Sequence, residues 1–131
     1  MSPTSSFRLQ ASPYAPKEAR TRMRHFLASE HLADTSDLSF LATLLTSELV
    51  NHAVEHDDQQ KALTFSLHDS RLRVELAEDG GVLPWHLRAV ESAPPRDSLR
   101  IIDAMAARWG AERTESGSAV WFELGVDGDT T

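Results

Sequence analysis

Ser47-Glu48-Leu49-Val50-Asn51-His52-Ala53-Val54-Glu55-His56 is the stretch whose reading decides the fold. It closes the longest amphipathic run in the chain, residues 35–56, where Leu38, Leu41, Leu45 and Leu49 recur at helical spacing. Glu48, His52 and His56 recur every fourth residue, which on a helix stacks them along one side. Thr35, Ser36 or Asp37 can cap the start of this helix, and Asp57-Asp58-Gln59-Gln60 ends it. An ionisable stripe beside an apolar one marks either a site or a solvated edge.

Downstream, Ala62-Leu63-Thr64-Phe65-Ser66-Leu67 and Leu72-Arg73-Val74-Glu75-Leu76 alternate with period two, as strands do. His68-Asp69-Ser70-Arg71 is short enough to join them as an antiparallel hairpin. Glu78-Asp79-Gly80-Gly81 follows as a polar strand exit. Residues 82–97 hold Pro84, Pro94 and Pro95 without periodicity and read as a long loop. A third helix is expected over residues 98–108, with Leu99, Ile102, Met105 and Ala106 inward and Gly110 as its C-cap. Ala119-Val120-Trp121-Phe122-Glu123-Leu124 reads as the last strand.

Upstream, residues 1–6 and, at the far end, 126–131 read as tails, and Phe7-Arg8-Leu9-Gln10 as a short edge strand. Pro16 starts a helix running to about Glu30, with Ala19, Met23, Phe26 and Leu27 on one face and Lys17, Arg20 and Arg24 on another. The order is strand, helix, helix, strand, strand, loop, helix, strand. That order predicts one domain over residues 1–131, an α/β two-layer sandwich with a mixed, mostly antiparallel sheet and helices on one face.

The bulk numbers exclude several classes. A chain of 131 residues makes one core, and 40% hydrophobic with 25% charged residues is ordinary for a soluble globular domain. A net charge of −7 argues against a general nucleic-acid binder, whose partner phosphates it would repel. With no cysteine there are no disulfides and no thiolate metal sites. No apolar run spans a bilayer and no secretory signal opens the chain, so a cytoplasmic location is expected.

In this order the motifs resemble those of the GHKL (Bergerat-fold) ATPase superfamily, and among them the bacterial anti-sigma-factor serine kinases. The likeness rests on Ser47-Glu48-Leu49-Val50 with Ala53-Val54 and His56, on Glu78-Asp79-Gly80-Gly81, and on Leu99-Arg100-Ile101-Ile102-Asp103-Ala104 with Arg108-Trp109-Gly110 and the last strand. The resemblance implies ATP or ADP with Mg²⁺ as cofactor. It makes Glu48 the general base, an Asn four residues later the Mg²⁺ ligand, and an Asp after the strand the adenine contact. A glycine-rich segment before the third helix would wrap the phosphates. Implied partners are a sigma factor and an anti-anti-sigma protein phosphorylated on serine, with a homodimer as a possible assembly; neither nucleic acid nor membrane is a partner.

This chain departs from that pattern at each nucleotide motif. His52 stands at the position of the Mg²⁺-binding Asn, and imidazole suits that ion poorly. Asn51 comes one residue early, about 100° around the helix. Glu78 stands at the adenine-contacting Asp, or Asp79 with a one-residue slip, beside Gly80 and Gly81. Before Leu99 the chain carries Pro94-Pro95-Arg96-Asp97-Ser98 in place of glycines. Proline offers a phosphate no N–H, Asp97 repels it, and Arg96 alone among these attracts it. The cofactor-binding candidates are therefore His52, Asn51, Glu78, Asp79, Gly80, Gly81, Arg96, Ser98 and Leu99. The expected function is partner-switching regulation by protein binding with a weakened ATP site; the alternative is an active Mg-ATP-dependent serine kinase. His52-Ala53-Val54-Glu55-His56 also matches H-x-x-E-H, which adds a remote third reading, a zinc hydrolase with His52 and His56 as metal ligands.

Overall fold

The chain runs β1 (Thr4–Leu9), α1 (Ala15–Ser29), α2 (Ser36–His56), β2 (Lys61–His68), β3 (Arg71–Asp79), α3 (Ser98–Met105), β4 (Arg108–Arg113) and β5 (Gly117–Gly125). These elements come from a computed structural model, which describes residues 3–10, 12–34, 36–56, 61–79, 98–115 and 117–126. The strands form one sheet in the order β1-β2-β3-β5-β4, and every neighbouring pair is antiparallel. The architecture is the α/β sandwich expected, with its helices against one sheet face.

Period-two patterning decides which face that is. Leu63 and Phe65 of β2, Leu72, Val74 and Leu76 of β3, and Val120, Phe122 and Leu124 of β5 are all buried. They share a cluster with Ala19, Met23, Phe26 and Leu27 of α1 and Leu38, Leu45, Leu49 and Ala53 of α2. Helical spacing therefore identified the inward faces of α1 and α2 correctly. Arg20 joins the two helices by donating to Ser47 Oγ at 2.7 Å.

Local chemistry fixes the connections. The β2–β3 hairpin turns on Asp69 and Ser70, both in the left-handed region at φ 52° and 62°. Two left-handed central residues define the type I′ turn, whose twist matches that of the strands it joins. Helix α1 ends in a Schellman motif: Leu32 N–H donates to Leu27 O at 2.7 Å and His31 N–H to Ala28 O at 3.1 Å. His31 holds the left-handed position, φ 61°, that glycine usually takes.

Several expectations need correction. Helix α3 ends at Met105, and Arg108–Arg113 forms an additional strand that pairs with β5. Gly110 is thus a strand residue and not a helix cap. A Cβ there would lie 3.1 Å from Cζ2 of Trp121, so the glycine admits the indole. Ile102 of α3 is buried, but Met105 is exposed. Strand β1 starts at Thr4, inside the expected tail, and β3 extends through Glu78 and Asp79, which belong to the ladder and not to an exit turn. Trp85 and residues 57–60 and 80–97 lie outside the described residues.

The sheet face away from the helices carries a charged network. Glu123, buried, accepts from Arg108 at 2.7 and 3.0 Å and from Arg73 at 3.3 Å. The Arg73 guanidinium lies 4.2 Å from the Trp121 ring centre and that of Arg108 5.7 Å. Burial opposes charge on Glu123, but hydrogen bonds and positive charge from Arg108 and Arg73 outweigh it and hold its carboxyl below the usual glutamate value. A carboxyl with a lower pKa when folded stabilises the fold above its unfolded pKa and loses that contribution as pH falls through the folded value. Glu123→Gln should therefore be less stable than the natural chain at pH 7, and denaturant titrations should show the gap narrowing from about pH 5 to pH 3. Ser70→Gly relieves a left-handed non-glycine residue and should raise stability by about 0.5–1 kcal/mol, read from the denaturant midpoint.

Candidate nucleotide-site region

Four rows of inward side chains cross the sheet, and three of them are apolar. Strand register places Phe65, Val74, Phe122 and Trp109 in one row and Leu63, Leu76, Val120 and Ala111 in the next. Leu67, Leu72 and Leu124 make a third. The remaining row, at the sheet's opposite end, runs Leu9, Lys61, Glu78, Ser118 and Arg113. Its centre is polar although Lys61 and Ser118 are as buried as the core.

Helix α2 carries the Glu48 stretch. Leu38 and Leu41, near the start of α2, line a cleft of roughly 280 Å³ with Met105, Leu124 and Gly125. Leu41, Leu45 and Glu48 share one side of α2 by spacing, the side that faces α3 across the cleft. Glu48 is half-buried there, whereas Asn51 faces solvent.

The row holds a short ion pair. Lys61 Nζ donates to Glu78 Oε2 at 2.8 Å; the lysine side chain is 0% exposed and the glutamate 10%. Taking both charges from water costs several kcal/mol per ion, which their attraction offsets only in good geometry. No sequence expectation pointed to Lys61. The signal was present: Lys61, Leu63 and Phe65 keep one parity, so a charge stood where an apolar residue was due.

The other candidates fall as follows. His52 and His56 belong to α2, Asp79 to β3, and Ser98 and Leu99 open α3, but the side chains of these five lie outside the described residues. Gly80, Gly81 and Arg96 lie outside them altogether. Among the described residues no group of three His, Cys, Asp or Glu side chains gathers to hold a metal ion. The described residues contain no helix long and apolar enough to cross a membrane.

No protein-family profile matches this sequence, and no curated protein does. Among solved structures, the chain matches the crystal structure of the RsbU and RsbW domains of Rv1364c from Mycobacterium tuberculosis, with a TM-score of 0.66 and 21% identity. The match covers 94% of this chain and 32% of that one, so this chain spans about a third of its length. At this identity the likeness shows the fold alone, an α/β sandwich shared with that structure.

Removing one partner of a buried pair strands the other. Glu78→Ala should cost up to about 3–5 kcal/mol in denaturant unfolding, because it removes the carboxylate that faces the buried Lys61 ammonium at 2.8 Å. Lys61→Met with Glu78→Leu should recover most of that loss.

Proposed function

We propose that this chain is a cytoplasmic regulator of the partner-switching type, which binds a sigma factor or an anti-anti-sigma protein and carries a nucleotide site altered from the GHKL pattern. One observation carries the altered site: Glu78, one of the two residues that the resemblance offers as the adenine contact, already accepts from Lys61 at 2.8 Å. The residues at hand do not suit an adenine nucleotide with Mg²⁺. Glu78 is engaged, Asn51 faces solvent, and residue 52 is a histidine where the ion requires an oxygen donor. Binding to a protein partner therefore supplies the function, and no phosphoryl-transfer step is assigned to the chain.

The second reading, an active serine kinase, draws on Glu48. It is half-buried on the α3-facing side of α2, where a general base would be placed. Thermal unfolding with and without ATP and Mg²⁺ separates the two. A ligand at 100 times its Kd adds about 2.7 kcal/mol to stability. The altered site predicts no such shift, together with a stable complex when the chain is mixed with sigma factors and anti-anti-sigma proteins of its own cell. A full shift, with label passing from γ-phosphate to a partner serine, would establish the kinase instead.

A further inference from the structure

Four large apolar side chains stand exposed among the described residues, and three of them gather at one place. Phe40, 64% exposed, and Met105, 40% exposed, line the cleft of roughly 280 Å³ between the start of α2 and the end of α3. Ile101 lies one turn before Met105, on the same side of α3 by spacing, and is 37% exposed. Leu41 and the Leu124-Gly125 end of β5 complete the apolar lining, and Asp37 adds a charge to it. Single exposed apolar residues need no explanation, but several gathered at a concavity mark a contact surface.

We infer that this cleft docks an amphipathic helix of a partner protein. Two bulky apolar residues one turn apart enter beside Phe40 and Met105, and a lysine or arginine on their flank meets Asp37. The inference rests on the protein-binding reading above and deepens it, because it names a surface and the chemistry that fits it. Size sets the first limit. Pockets for drug-sized ligands hold about 300–1,000 Å³ and bury most of the ligand. This cleft falls short of that and leaves Phe40 mostly outside, so it takes the anchors of something larger. The backbone sets the second. Strand β5, whose end lines the cleft, is paired on both sides, with β3 and β4. An extended peptide therefore finds no strand edge there for its N–H and C=O groups, whereas a helix satisfies its own. Charge selects the flank. Helices α2 and α3 carry Asp37, Glu48, Glu55 and Asp103 against a single arginine, Arg100, and the whole chain carries −7. That balance attracts a basic partner and turns away a second copy of this chain, which would bring acid against acid.

The probe is a short helix-forming peptide with leucines at i and i+4 and lysines beside them, titrated by calorimetry into the full chain. A twin peptide carries glutamate in place of every lysine. The lysine peptide should bind the natural chain, and the twin about tenfold or more weakly. Phe40→Ala with Met105→Ala removes the apolar walls and should weaken the lysine peptide about tenfold or more. Asp37→Asn should weaken it about twofold to fivefold and flatten its dependence on salt. Tyr14→Ala removes the exposed aromatic that does not line the cleft and should change nothing. A natural chain that ignores the lysine peptide overturns the inference, as does equal binding of the twin or equal binding by the folded double variant. So does a dimer of the natural chain, seen in sedimentation, that the double variant dissolves, because a second copy would then be the occupant. Should the double variant not fold, Asp37→Asn and the twin peptide decide the matter. Complex formation with the cell's own sigma factors is scored separately on the natural chain. Its absence, with the lysine peptide still bound, fails the sigma-factor reading and leaves this surface standing.

Discussion

Everything in this molecule depends on one sheet face being dry. Strands β2, β3 and β5 present alternate residues to the helices, and those residues are Leu, Val and Phe across three successive rows. Burying such side chains contributes roughly 1.5–3 kcal/mol each, which places the sheet and the two long helices in a single cooperative unit. The same dryness gives the fourth row its meaning. Lys61 and Glu78 meet at 2.8 Å where little water reaches them, the lysine side chain 0% exposed and the glutamate 10%. In solvent the same pair would contribute a few tenths of a kcal/mol and would restrict nothing.

Much of the fold was legible because its signals are strictly periodic. Leu38, Leu45 and Leu49, and Ala19, Met23, Phe26 and Leu27, fell on buried helix faces as their spacing required. The two alternating segments formed the expected hairpin. Strand β4 was not legible, for a physical reason. Ala106, Ala107 and Arg108 prolong a helical pattern, and Gly110 reads as its stop. Only the tertiary fit of Gly110 beneath Trp121 shows that the glycine serves a strand. Met105 was assigned inward because spacing gives a face but not the length over which that face is covered.

The candidate site was legible as a set of residues and less so as chemistry. Glu48 is half-buried on α2 and Glu78 lies in the β3 ladder. Pairing within the sheet was invisible to sequence, because partners 17 residues apart meet only through register. Glu78 therefore read as an available acceptor when it is a satisfied one. Asn51 is exposed on α2.

The two edges of the sheet differ in how they meet other chains. Strand β4 carries Arg108, Glu112 and Arg113 along its short length, and the Arg108–Glu123 contact ties its first residue to β5. A foreign strand arriving there must desolvate charges of both signs while disturbing a satisfied network, which is how natural sheets guard against edge-to-edge aggregation. Strand β1, Thr-Ser-Ser-Phe-Arg-Leu, has a single charge. The guard against runaway strand addition is therefore one-sided, and colloidal stability at the β1 edge falls to the net charge of −7, whose protection weakens with added salt.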